Sequence, residues 1–358
     1  MVNKMVKKVA GEWLLVLSAM GLAVTSLYLK RFPTYTPNDF KVIYTLFVFL
    51  IILNGLERSG FLSCVASRFK RGRHLPQKLI LLTALLSVFV TNDVALLTVV
   101  PFTLTLDVDG TEMLVILETL TANGVSALTP FGNPQNIFIY YYYHLHPWEF
   151  VRTIAPFTVA SFIFVLSISY RRAKMAIADD SDEVVRCDNK KTCVYLISFP
   201  LFVLSILRLL PLEIGVFVIA YAILFDRRSL GIDYLLLATF LTFFGFTDNL
   251  MRIFKFSLEN PVQVFLYSAV GSQIMSNVPS ALFFADFTSN WKALLWGVSV
   301  GGFGNLIGSL ASLISYRFYR AKFPNSRSFL IRFHLYGYLA FFLGCAMYFL
   351  ATGNMFGG

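Results

Sequence analysis

The sequence predicts an all-α polytopic membrane protein with about nine transmembrane helices plus two re-entrant helical hairpins in an inverted repeat. Three observations carry this. The 358 residues are 57% apolar and 14% charged with a mean hydropathy of +0.68, whereas soluble domains carry about 25% charge, so a soluble enzyme is excluded. Long apolar segments recur along the whole chain. The 30 Lys and Arg outnumber the 20 Asp and Glu and gather in short clusters between those segments, as in cytoplasmic loops of membrane proteins rather than nucleic-acid surfaces.

A bilayer core takes about 20 helical residues. Apolar segments fall near 10–29, 42–67, 77–105, 112–131, 149–170, 194–208, 212–225, 232–250, 260–287, 290–316 and 331–351. The first follows Lys4, Lys7 and Lys8, exceeds a signal-peptide core and lacks a clear small-residue cleavage site, so it reads as a retained span. The other basic clusters are Arg68/Lys70/Arg71/Arg73/Lys78, Arg171/Arg172/Lys174 with Arg186/Lys190/Lys191, Arg227/Arg228, and Arg317/Arg320/Lys322/Arg327/Arg332. All are expected on the cytoplasmic side.

Three apolar segments separate the second cluster from the third, and three separate Arg227/Arg228 from Arg317. An odd number of crossings would put like clusters on opposite faces, so one segment in each set must enter and leave on the same side. The segments with a polar break near the middle are 77–105, broken at Thr91-Asn92-Asp93, and 260–287, broken at Ser276-Asn277 before Pro279. Each arm is too short to span. The first hairpin is expected to open to the cytoplasm and the second to the outside, with the N-terminus cytoplasmic and the C-terminus outside. The chain then divides into repeat 1 over 1–172, with a broken helix at 112–136, a cytoplasmic linker plus one span over 173–210, and repeat 2 over 211–358, with a broken helix at 290–316. Inverted repeats are a mark of secondary transporters.

Broken helices survive in hydrocarbon only where they are buried or line a cavity. Beyond the hairpin tips, breaks are expected at Asn123-Gly124-Val125-Ser126 running to Pro130-Phe131-Gly132-Asn133-Pro134-Gln135-Asn136, and at Gly301-Gly302-Phe303-Gly304-Asn305. The spacing agrees, with 31 residues from Asn92 to Asn123 and 28 from Asn277 to Asn305. Unwound backbone offers carbonyls to a cation, half-helix N-termini favour an anion, and Asn, Ser and Thr add neutral donors and acceptors.

Thr-Asn-Asp-Val-Ala-Leu-Leu, Ala-Asn-Gly-Val-Ser-Ala-Leu-Thr-Pro-Phe-Gly-Asn-Pro-Gln-Asn, Ser-Gln-Ile-Met-Ser-Asn-Val-Pro-Ser-Ala-Leu and Gly-Gly-Phe-Gly-Asn-Leu-Ile-Gly-Ser-Leu-Ala-Ser occur in this order. Together they closely resemble the ion transporter superfamily, which includes divalent anion:sodium symporters, citrate transporters, arsenite permeases and D-type sodium/proton antiporters. The resemblance covers nearly the whole chain from about residue 40. It implies that the hairpin-tip motifs help bind substrate carboxylates beside a sodium site, at Thr91-Asn92-Asp93 and Ser276-Asn277-Val278 here. Asp93 places a carboxylate where the anion symporters have a hydroxyl, and Val278 removes the second hydroxyl. That weakens a dicarboxylate assignment and brings the arsenite, citrate and antiporter branches forward. A homodimer is also implied.

The expected substrate residues are Thr91, Asn92, Asn123, Ser126, Asn133, Ser276, Asn277, Gly302 and Asn305. Asp93, Asn123, Gly124, Gly301 and Glu118 are expected to couple a cation or proton: Asp93 and Glu118 because ionisable groups within spans are costly and usually functional, the other three because unwound backbone there offers carbonyls to a cation. Glu57 adjoins Arg58 and reads as a local pair, whereas Asp248 reads as either a helix-end cap or part of an ion path; Asp286 is a further intramembrane acid. Gly297, Gly301, Gly304 and Gly308 fall on one helical face, as in close helix packing. Tyr140 to Tyr143 with Trp148 read as an interfacial aromatic belt. His144 and His146 lack a third ligand, and Cys64, Cys187, Cys193 and Cys345 show neither metal-ligand spacing nor a disulfide framework.

The expected function is secondary active transport of a small anion or oxyanion, a carboxylate such as citrate or an arsenite-like species, coupled to Na+ or H+. The alternative is a Na+/H+ antiporter using Asp93. No nucleophile and base lie at useful spacing for an enzyme. The expected partners are the substrate anion and the bilayer, with no cofactor beyond the coupling ion and no nucleic acid.

Overall fold

The computed structural model describes residues 13–68, 74–106, 110–172, 189–254 and 257–356, and among these it is helical with no strand. Lys4, Lys7, Lys8, Lys70, Arg71, Arg73, Lys174, Arg186 and Cys187, named above, lie outside the described residues, as does most of the linker.

The centre is occupied by the two predicted broken helices. Helix α6 (Thr111–Val125) is buried at every position except Glu112. Apolar residues lie on all its faces, and the buried Thr119 and Thr121 hydroxyls donate back to the helix's own carbonyls of Val115 and Leu117. After a 3-10 turn at Ser126–Leu128 the chain resumes as α7 (Pro134–Tyr142), buried except at its last residue. Helix α14 (Trp291–Gly301) is buried from Ala293 onward, and an irregular stretch with a 3-10 turn at Leu306–Gly308 leads into α15 (Leu310–Lys322).

Around this centre lie α1 (Trp13–Leu29), α2 (Pro37–Arg58), α3 (Phe61–Arg68), α4 (Leu75–Phe89), α5 (Asn92–Thr105), α8 (Pro147–Arg172), α9 (Asn189–Ile206), α10 (Ile214–Phe225), α11 (Tyr234–Ile253), α12 (Pro261–Met275), α13 (Asn277–Ala285) and α16 (Arg327–Phe356). The arms α4 and α5 pack together, as do α12 and α13. Four helical stretches, Pro37–Arg58, Pro147–Tyr170, Arg227–Ile253 and Arg327–Thr352, are each long and apolar enough to cross a bilayer. Several of the shorter helices meet at polar breaks, α4 and α5 at Thr91-Asn92 and α12 and α13 at Ser276-Asn277. Segment 42–67 is divided as well: α2 stops at Arg58, where Gly60 (φ +77°) turns the chain into α3.

Outer helices carry large apolar side chains outward, among them Leu27, Phe217 and Phe342. Polar struts tie α1 to α11: Ser18 and Thr242 hydroxyls are 2.7 Å apart, and Asn249 donates to Thr25 and Ser26.

Three expectations are corrected. Tyr140 and Tyr141 are buried, and Tyr141, Tyr142 and Tyr143 donate inward to Ile206 O, Asp286 and the carbonyls of Ala285 and Thr288, so the tyrosines are internal struts; only Trp148 stays exposed. The four glycines do not share one helical face, because α14 ends at Gly301 and Gly304 adopts φ +88°. Cys64 is disulfide-bonded, whereas Cys193 and Cys345 are free.

Candidate functional site

The first tip forms because Asn92 opens α5 after an extended Thr91, whose hydroxyl caps Val94 N at 3.4 Å. Asn92 N donates to Gly132 O at 3.2 Å, pinning the tip to the first break, and Asn92 Oδ1 accepts from Asp93 N at 2.9 Å. Helix α6 runs on to Val125, so within the expected Asn123-Gly124-Val125-Ser126 break the unwinding begins at Ser126. There Ser126 accepts from Asn133 Nδ2 at 2.9 Å, and Asn136 Nδ2 bridges the carbonyls of Ser126, Ala127 and Thr129. The unwound backbone is thus satisfied by side-chain amides, as a dry interior requires.

The second tip is built differently. Ser276 holds φ +72°, ψ 158°, a backbone region populated almost only by glycine, and makes no side-chain cap to α13. Its hydroxyl lies 3.4 Å from Asn277 Oδ1. Gln273, one turn earlier, clamps the second break: Nε2 donates to Gly301 O at 2.7 Å and Phe303 O at 2.9 Å, and Oε1 accepts from Asn305 N at 3.0 Å. Asn305 returns Nδ2 to Gln273 O and caps Ile307 and Gly308 with Oδ1. Its side chain therefore holds the loop in this conformation.

Asn123 joins the two halves. It accepts from Asn92 Nδ2 at 3.4 Å and from the Ser309 hydroxyl at 3.0 Å, and donates to Gly302 O at 3.1 Å and Ser312 Oγ at 2.9 Å. Gly302 faces Asn277: a Cβ there would sit 3.2 Å from Asn277 Nδ2. Asn92, Asn123, Gly302 and Asn277 consequently form a continuous chain of neighbours, all of the three asparagines buried. The N-termini of α5 and α13, each the positive end of a helix dipole, begin at the two ends of this chain.

The expected coupling residues occupy distinct positions. Gly124 packs so closely on Ser161 and Phe303 that a Cβ would collide with both, and Gly301 does the same with Ser272. The carbonyls of Gly301 and Gly302 are taken by Gln273 and Asn123. Asp93 has a buried Oδ1 with no hydrogen-bond partner. Glu118, fully buried in α6, accepts from Thr103 of α5 at 2.6 Å through Oε1 while Oε2 has no partner. Asp248 is away from the node, ion-paired with Arg31 and Arg252 and accepting from Thr34 N at 2.9 Å.

Sequence reasoning missed Gln273, Ser309 and Ser312 as members of this constellation. Gln273 carries a readable signal, a polar residue one helical turn before a tip. The two serines lie beyond the second break and meet Asn123 only through tertiary packing.

Residues 9–301 match the citrate transporter family. The chain is 32% identical to Uncharacterized transporter MJ0456 of Methanocaldococcus jannaschii over 292 residues, 78% of this chain and 81% of that protein. It is 32% identical to Inner membrane protein YbiR of Escherichia coli over 349 residues, 90% of each chain. The helical architecture and these matches agree: the chain is a multi-pass membrane transporter that belongs to the citrate transporter family, within the ion transporter superfamily.

Proposed function

We propose that this protein carries out secondary active transport of a small carboxylate or oxyanion, citrate first among candidates, coupled to Na+ or H+. The observation that supports it best is the chain Asn92, Asn123, Gly302, Asn277, which brings both hairpin tips and both broken helices to one place. Neutral carboxamides, hydroxyls and two helix N-termini bind an anion without a fixed cation that would hold it too tightly to release. In this reading Thr91, Asn92, Ser276, Asn277 and the Gly302 backbone contact substrate. Asn123, Ser126, Asn133 and Asn305 hold the breaks in shape, Gly124 and Gly301 permit close packing, and Asp93 and Glu118 serve the coupling ion.

The same reading takes α4/α5 and α12/α13 as re-entrant hairpins of opposite orientation in an inverted repeat with nine crossings, the N-terminus inside, and the protein as a homodimer. A second reading, Na+/H+ antiport, is favoured by the unpartnered buried oxygen of Asp93. Uptake of citrate, succinate, arsenite and sulfate into proteoliposomes under imposed Na+ or H+ gradients tests both. Gradient-driven entry of one anion supports the first; Na+/H+ exchange with no anion movement refutes it in favour of the second.

A further inference from the structure

Two adjoining depressions at one end of the helix bundle share Arg208. The first, about 210 Å³, is lined by Asn38, Lys41, Tyr141, His144, Ser205 and Arg208, with no carboxylate. The second is an apolar groove of about 670 Å³ whose walls include Phe131, Trp148, Val151, Leu207 and Leu209, with Arg208 and His146 at its polar edge. Trp148 is 68% exposed and Leu209 69%.

Two of these side chains are placed at a cost. His144 and Arg208 follow the C-terminal ends of α7 and α9 with φ +52° and +62°, positions that glycine fills most cheaply. A helix C-terminus favours a cation, which accounts for Arg208. It does not account for Lys41, which sits in the second turn of α2, near an end where the dipole favours anions, and makes no ion pair among the described residues.

Arg208 has five N–H donors. Two make long bonds, to Leu145 O at 3.4 Å and Tyr140 O at 3.5 Å, and its guanidinium lies 4.9 Å from the Tyr140 ring centre. The remaining donors have no acceptor among the described residues. A neighbouring cavity shares Asn38 and His144 and contains Asp39, Asp248 and Asp286. Those carboxylates are engaged by the Thr36 backbone, by Arg31 and Arg252, and by Tyr142.

The geometry points to a binding site for an anionic phospholipid, with the headgroup phosphate between Arg208, Lys41 and His144 and an acyl chain along the groove past Trp148 and Leu209. Basic pockets beside exposed apolar surface at the membrane boundary suit this ligand: the phosphate satisfies the guanidinium fork and the chain covers the groove. A free anion would leave the groove uncovered, and a neutral lipid would bring no net negative charge to Arg208 and Lys41. The inference is independent of which anion is transported.

The test is thermal unfolding of the purified full chain in neutral detergent, titrated separately with phosphatidylglycerol, phosphatidylcholine and inorganic phosphate. Phosphatidylglycerol is expected to stabilise at the lowest concentration and phosphate to have no effect. Arg208→Gln is expected to raise the phosphatidylglycerol midpoint about tenfold, the factor equivalent to about 1.5 kcal/mol for a hydrogen bond to a charged group. Lys41→Gln, at a side chain with no hydrogen bond or ion pair among the described residues, is expected to do the same and guards against a folding defect in the first variant. Equal midpoints for the two lipids, stabilisation by phosphate alone, or an unchanged midpoint in Lys41→Gln would overturn the site. A mass shift showing a second copy of the chain in place of lipid would overturn it as well.

Discussion

Asn123 is the residue whose removal should be felt most widely, because one carboxamide serves four partners on three separate segments. Asn123→Ala deletes the bonds to Gly302 O, Ser312 Oγ and Ser309 Oγ, at 2.9 to 3.1 Å, and the longer one to Asn92 Nδ2. At about 1 kcal/mol net per bond the three short ones cost roughly 3 kcal/mol, with the fourth and a small cavity adding to it. A globular chain of this length has an unfolding entropy of about 0.75 kcal/mol/K, which sets a Tm fall of roughly 4 °C as the lower bound, since spans that stay helical on unfolding lower that entropy. Asn123→Asp keeps an acceptor for Ser309 but loses both donors and sets a carboxylate against Gly302 O, so it should be worse despite its matching size. The assay pairs thermal unfolding of each purified variant with initial uptake in proteoliposomes, and at least a tenfold loss of uptake is expected in both. If Asn123→Ala melts within 1 °C of wild type and transports at the wild-type rate, the node does not join the halves and the reasoning fails.

Three further outcomes follow from the geometry. Ser276→Gly relieves a backbone conformation costing about 1–3 kcal/mol, so it should raise Tm while lowering uptake through loss of the hydroxyl. Unchanged or lower Tm would show that the tip is not strained. Glu118→Gln keeps the acceptor for Thr103 and should preserve anion exchange while abolishing gradient-driven accumulation; undiminished accumulation removes Glu118 from coupling. Cysteines placed at His74 and Thr105 should be labelled by an impermeant maleimide from the same face. Labelling from opposite faces means that α4 and α5 together cross the membrane.

Much of the fold was legible because hydrocarbon penalises every unpaired backbone group, so the few polar interruptions stand out. Thr91-Asn92, Ser276-Asn277 and Gly301 to Asn305 mark helix ends in the structure, and α6 is buried at every position but Glu112 with its polar side chains turned to internal partners. The first break was harder to place. Asn and Gly weaken a helix, yet Asn123 and Gly124 remain helical because tertiary partners satisfy the Asn side chain and Gly124 lets α8 approach closely. Tyrosines were misplaced for a related reason: their amphipathic rings suit a membrane interface, but the hydroxyls of Tyr141 to Tyr143 found buried acceptors instead. The pairing of Asn123 with Ser309 and Ser312, across nearly two hundred residues, leaves no local pattern to read.

The central claim is that an anion binds between the two tips, beside Asn277. Its most direct test is substrate protection of Asn277→Cys, in a background lacking Cys64, Cys187, Cys193 and Cys345, from a membrane-permeant maleimide. The account predicts that a transported anion slows alkylation in a concentration-dependent way whereas a non-transported anion does not. Alkylation at the same rate with and without saturating substrate would contradict it.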